Sequence, residues 1–202
     1  IGELLLSFGR FARGKANFRR VDLLQVLRDC SANSLPIITL LSFLFGIILA
    51  FIGAAQLKIF GAEIYVADLV AIAMAREMGP MMTAIILAGR CGAAFAAQIG
   101  TMTVNEEVDA LRTTGISPMD FLVLPRVFSL ALMTPFLSLY AVFFGIIGGA
   151  VIAQIMLGIS FTQFLTETKG ILTPVQFGLG ASKSLVYGIH VALDGCWRGI
   201  HC

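Results

Sequence analysis

The sequence predicts an all-α polytopic membrane protein, and three observations carry that prediction. Apolar residues make up 58% of the 202 and charged residues 13%, with a mean hydropathy of +0.92. Soluble domains sit near ~45–50% and ~25%. The apolar excess is gathered into long runs. No charge falls between Asp29 and Lys58, and none between Arg126 and Glu167, so each run exceeds the ~20 residues a helix needs to cross ~30 Å of hydrocarbon. Third, Arg10, Arg13, Lys15, Arg19, Arg20 and Arg28 crowd the stretch before the first run. Lysine and arginine stay on the cytoplasmic side of spanning helices, which places the N-terminus in the cytoplasm. Nucleic-acid binding would use a similar cluster, but this one abuts a span.

The elements follow in order. In residues 1–28, Leu4, Leu5, Phe8, Phe11, Ala12 and Phe18 recur near helical spacing while the charges fall elsewhere. That is the pattern of a basic helix lying in the membrane interface; a disordered lead-in is the other reading. The order of charge and apolar residues is not that of a signal peptide. The first span is expected over 35–57, followed by a charged connector over 58–77. A second span covers 78–101, with Arg90 as its one charge. Ala88, Gly92, Ala96 and Gly100 form a ladder of small residues, with Gly89, Ala93 and Ala97 beside it. Such stripes let helix backbones approach in lipid, so this face is expected against protein. The third span runs over 126–157 through Pro135 and ends near Gly158, because one helix over 127–166 would reach ~60 Å. A hairpin crossing twice is the alternative. The fourth span covers 175–196 and ends at Trp197 and Arg198, an aromatic and cationic interface pair.

Between the second and third spans, 102–125 is polar. It reads as a short amphipathic helix over 104–117, stopped by Gly115, then a Ser-Pro turn into the next span. A polar helix beside two spans cannot enter hydrocarbon. It lies on the cytoplasmic surface or docks onto a soluble partner.

The residues of this loop carry a resemblance. Glu107 to Pro125 resembles the coupling-helix motif of bacterial ABC permeases, with an acidic start, a glycine and then Leu-Pro. More narrowly, EEVDALRTTGISPMDFLVLPRV and the preceding AREMGPMMTAIILAGRCGAAFAAQIGTM resemble the MlaE (YrbE) permease family. The match continues through the basic start, the glycines at Gly145–Gly149, ASKSLVYG at 181–188 and GCWRG at 195–199. The resemblance implies a homodimeric permease in the bacterial inner membrane that moves phospholipid and maintains outer-membrane lipid asymmetry. Its implied partners are cytoplasmic ABC ATPase subunits, a periplasmic ring of MCE-domain proteins and a small STAS-domain subunit. ATP and Mg would be bound by the ATPase, with no cofactor in this chain. A related permease serves lipid import in plastids. Family members carry a further span after the turn matched by GCWRG, and this sequence reaches Cys202 without it.

Catalytic and metal chemistry find no residue set. There is no GxxxxGK[ST] loop for nucleotide, and no serine, histidine and aspartate arrangement. Cys30, Cys91, Cys196 and Cys202 form neither a CxxC pair nor a ligand cluster with His190 or His201, and read as free thiols. His190 reads as a packed or cavity-facing residue. Charges in spans are the better candidates, since each costs at least ~2.5–3.5 kcal/mol at a helix centre. The resemblance places Arg76 and Glu77 in a lipid cavity between protomers, where the guanidinium would hold a phosphate. Snorkelling or a mutual pair is the alternative. Lys183 matches a cavity lysine of the family, while Arg90 reads as structural. For coupling to the ATPase the candidates are Glu106, Glu107, Asp109, Arg112 and Gly115. Two rival classes remain open at this level: a proton-coupled secondary transporter using Glu77, and a membrane scaffold whose acidic loop recruits a soluble protein.

Overall fold

Helices form wherever the apolar runs demand them, because lipid leaves backbone N–H and C=O groups no partners except each other. The computed structural model describes residues 20–115 and 119–200, and no strand occurs among them. Seven helices follow in chain order: α1 (Arg20–Ala32), α2 (Leu35–Leu57), α3 (Glu63–Val104), α4 (Glu107–Thr113), α5 (Leu124–Leu157), α6 (Phe161–Ile171) and α7 (Pro174–Ile200). Three stretches are long and apolar enough to cross a membrane: Val26–Phe60, Glu63–Val104 and Phe121–Leu157. The interfacial helix expected over 1–28 lies largely outside the described residues; its described part belongs to α1.

The helix expected over 35–57 is α2, with those bounds, and it lies within a longer apolar stretch, Val26–Phe60. The second span departs from its expected bounds. The connector expected over 58–77 is helical from Glu63 onward, and α3 runs 42 residues, about 63 Å at 1.5 Å per residue. Glu63, Asp68, Arg76 and Glu77 therefore decorate a helix and are not loop charges. Within α3 the regular ladder is interrupted twice by π-turns, at Met74–Met78 and Ala88–Gly92. The third span is one helix through Pro135, which rules out the hairpin. It stops where expected: Gly158 takes φ +66°, a left-handed conformation that glycine adopts without a side-chain penalty. Ser160 then caps α6 by accepting a hydrogen bond from the Gln163 N–H at 3.3 Å. The expected fourth span is helical throughout α7. It carries Lys183, Asp194 and Arg198 and is not among the three stretches long and apolar enough to cross a membrane.

The chain divides into two compact units. One comprises Leu35–Ile86 and Thr134–Leu185. Its core gathers Ala50, Ala54, Val66, Val70, Met74 and Ala75 with Val142, Ile146, Ala150 and Phe164. Here α2 and α5 touch backbone to backbone. A Cβ on Gly46 would overlap the Gly145 carbonyl, and one on Gly148 would overlap the Phe43 carbonyl. A Thr39 to Tyr140 hydrogen bond of 2.8 Å joins the same two helices.

The other unit contains the described chain up to Ser34, Leu87–Met133, and the chain from Val186. Its Cys30, Cys91 and Cys196 are free and buried. The first small-residue ladder packs only in part: Gly92 is buried, and a Cβ on Gly195 would lie 2.6 Å from its carbonyl oxygen, whereas Ala88 is exposed. The second ladder does not, since Gly89, Ala93 and Ala97 are exposed in the single chain. The far helical face had no way to announce itself, because both ladders are equally small.

Replacing Gly46 or Gly148 by valine should destabilise the fold by at least ~1–3 kcal/mol through overpacking. Gly170→Ala, at a site with open space, should be near neutral. Thermal unfolding in detergent, followed by monodispersity on size exclusion, distinguishes the two sets.

Candidate functional site

Three charged side chains nominated separately by the sequence come together in the unit formed by Leu35–Ile86 and Thr134–Leu185. Arg76 and Glu77 stand in the first π-turn of α3, where Met74 and Ala75 turn inward and the two charges turn outward. A π-turn widens the helix and re-aims side chains, and such bulges recur at functional positions. Lys183 arrives on α7. The approach is set one turn earlier, at Gly180, where any Cβ would collide with the Ala75 carbonyl. With the backbones that close, Lys183 Nζ donates to Glu77 Oε1 at 2.5 Å. Arg76 Nε lies 3.9 Å from the same oxygen, a charge contact beyond hydrogen-bond reach. The side chains remain 38–51% exposed, so the cluster faces open space and is not sealed in the core.

Two cations against one carboxylate leave a formal excess of one positive charge. Glu77 neutralises Lys183 directly and leaves the Arg76 fork without a hydrogen bond among the described residues. A planar guanidinium with free donors is suited to a phosphate or carboxylate held bidentately. The arrangement can hold an anionic group and exchange it against Glu77.

The loop candidates lie in the other unit. α4 is shorter than the expected 104–117, and turns bound it on both sides. Glu106 adopts φ +59°, uncommon for a side chain with a Cβ, and Gly115 takes φ +76°. Val108 is buried, anchoring the helix, while Glu106, Glu107, Asp109 and Gly115 are exposed. The side chain of Arg112 and the Ser-Pro turn lie outside the described residues, as do His201 and Cys202. Arg90 is exposed, with no ion pair or hydrogen bond among the described residues, so the structural role expected of it is not seen there.

Two arrangements were not read from the sequence. Arg126 donates to Gln98 Oε1 at 3.1 Å and stacks over the Phe95 ring at 5.5 Å. A separation of 28 residues leaves no local pattern to reveal it. His190, Asp194 and Arg198 share one face of α7 and line a cavity. Their four-residue spacing was the available signal.

An all-helical chain, with three stretches long and apolar enough to cross a membrane and a polar helix between two of them, has the build of a membrane transport subunit. The family model for permease MlaE matches residues 23–202, and the chain belongs to that family. It is 35% identical over 169 residues to a probable ABC transporter permease protein of Rickettsia prowazekii, covering 84% of this chain and 65% of the relative. It is 33% identical over 193 residues to a probable ABC transporter permease protein of Synechocystis, covering 96% and 73%. It is also 32% identical over 199 residues to the chloroplastic protein TRIGALACTOSYLDIACYLGLYCEROL 1 of Arabidopsis thaliana, covering 98% and 55%. The chain thus spans just under two thirds of the length of the Rickettsia relative.

Ionised groups at membrane depth face a water-filled cavity or the bundle interior, and a half-exposed pair in water contributes ~0–1 kcal/mol. A double-mutant cycle on Glu77→Gln and Lys183→Met should therefore give a coupling energy below about 1 kcal/mol in thermal or denaturant unfolding. A larger value would mean that the pair is a structural tie facing lipid.

Proposed function

We propose that this chain is the permease subunit of an ABC transporter that moves phospholipid. Its assembly is a homodimer in the bacterial inner membrane, with the N-terminus cytoplasmic. The observation that carries the reading is the Arg76, Glu77 and Lys183 cluster: a net-positive, half-exposed group suited to a phosphate. Family membership supports the class of machine. The cluster lines the lipid cavity. Arg76 takes the phosphate, and Glu77 competes for the cations and favours release.

Energy comes from separate ATPase subunits that bind ATP and Mg. They dock on α4, with Glu106, Glu107, Asp109 and Arg112 as the polar contact and Gly115 as the turn that holds the helix proud of the surface. Individual exposed ion pairs are weak, ~0–1 kcal/mol, so motion is transmitted by α4 seated as a rigid body through buried Val108. On the outer side a ring of MCE-domain proteins exchanges lipid with the cavity, a small STAS-domain subunit completes the assembly, and the output is maintenance of outer-membrane lipid asymmetry.

Affinity purification of the full-length protein in mild detergent, with mass spectrometry of everything retained, tests the whole reading. An ATPase subunit and phospholipid should accompany the wild type. Glu107→Lys or Gly115→Pro should lose the ATPase and keep the lipid. Arg76→Ala with Lys183→Ala should keep the ATPase and reduce ATP-driven lipid transfer in proteoliposomes by tenfold or more, the scale of a lost charge-assisted contact. A wild-type protein that purifies with neither ATPase nor lipid, or proton-driven transport without ATP, defeats the proposal.

A further inference from the structure

A second polar cluster stands in the other unit, on a groove that the reading above does not use. The groove has a volume of about 690 Å³, within the ~300–1,000 Å³ typical of ligand sites. One wall is α7, from which His190, Asp194 and Arg198 project one turn apart. The floor is the second π-turn of α3 and the helix after it, with Ala88, Gly92, Ala93 and Ala96. The floor is apolar and nearly flat because no side chain there exceeds a methyl group. The groove is also held open in one shape: α7 is seated against α3 at Gly195 and Gly199, where a Cβ would lie 2.6 and 2.8 Å from the carbonyl oxygens of Gly92 and Ala96.

Arg198 Nη2 and Asp194 Oδ2 are 3.2 Å apart, with side chains 72% and 64% exposed. So exposed an i,i+4 pair is weak. It keeps the groove neutral when nothing is bound, yet it opens readily for a ligand that replaces both halves. Such a ligand carries its own anion and cation, spaced to match one helical turn of about 5.4 Å.

We propose that this groove is a second lipid site, selective for a zwitterionic headgroup of phosphate plus primary ammonium. Arg198 takes the phosphate and Asp194 takes the ammonium, with His190 one turn earlier on the same wall of the groove. The glycerol and first methylenes lie on the alanine floor, which commits the site to a membrane lipid over a free amino-alcohol phosphate. A purely anionic headgroup leaves Asp194 repelled and unpaired. A trimethylated ammonium offers Asp194 no N–H. The site therefore discriminates by headgroup, whereas the Arg76, Glu77 and Lys183 cluster, with its net positive charge, accepts any phosphate. The inference rests on the chain handling phospholipid.

The test uses the full-length protein with Arg76→Ala and Lys183→Ala, so that retained lipid reports on the groove. It is placed in nanodiscs of equal phosphatidylethanolamine, phosphatidylglycerol and phosphatidylcholine, and bound lipid is read by native mass spectrometry. Phosphatidylethanolamine should be enriched over both others. Adding Asp194→Asn with Arg198→Gln should reduce that enrichment about fivefold or more, the scale of losing hydrogen bonds to charged groups. Both positions are exposed, so folding should be unaffected; Ala96→Phe, which fills the floor, should remove the enriched lipid altogether. An unchanged lipid ratio in the charge variant overturns the proposal. So does a photo-crosslinker at Ala93 that captures polypeptide in place of lipid, or displacement of the lipid by soluble phosphoethanolamine. Failure of ATP-driven transfer in the wild type, with phosphatidylethanolamine still enriched, would defeat the transport reading and leave the groove standing.

Discussion

In hydrocarbon, helices gain nothing by hiding apolar side chains from one another, so close backbone contact must supply the packing energy. This chain meets that constraint with glycine at its tightest helix crossings. Gly46 meets Gly145, Gly148 meets the Phe43 carbonyl, and Gly180 meets the Ala75 carbonyl in one unit; Gly195 meets Gly92 in the other. The functional geometry is downstream of these contacts. Lys183 reaches Glu77 because Gly180 admits α7 one turn earlier, and the groove beside His190 keeps its depth because Gly195 does the same. A methyl group at Gly180 would meet the Ala75 carbonyl and force α7 away one turn before Lys183.

Both polar clusters are partly neutralised by their own ion pairs, which lowers the cost of charge near lipid. They differ in balance. Arg76, Glu77 and Lys183 keep one cation in excess, while Asp194 and Arg198 cancel. Each cluster stands beside a π-turn of α3. Where the helical ladder loosens, side chains point in directions a regular α-helix would not permit.

Much of this was legible beforehand, and the physical reasons are uneven. The bounds of α2 follow from an uncharged run with nothing to interrupt it, and the stop at Gly158 follows from the length of hydrocarbon a helix can cross. Gly115 announced a turn, and the turn is there with a positive φ. The beginning of α3 was misplaced because Glu63, Asp68, Arg76 and Glu77 resemble the composition of a connector. In a helix with one face against protein and another against open space, those charges are tolerated within the element. The family resemblance assigned Arg76, Glu77 and Lys183 to one cavity, but no spacing could pair Lys183 with Glu77, since 106 residues separate them. Two ladders of small residues were indistinguishable in sequence, and only packing shows that Gly92 is buried while Ala93 is exposed.

The two units are interleaved along the chain, since each is assembled from stretches separated by parts of the other. This sets the order of events during synthesis. The unit begun at Leu35 cannot close until Leu185 has left the ribosome, and the other must wait for the residues after Val186. With elongation at ~5–20 residues per second, α2 spends several seconds in the membrane before its last partner helix exists. Throughout that interval its glycine face and the charges of α3 lack their final contacts.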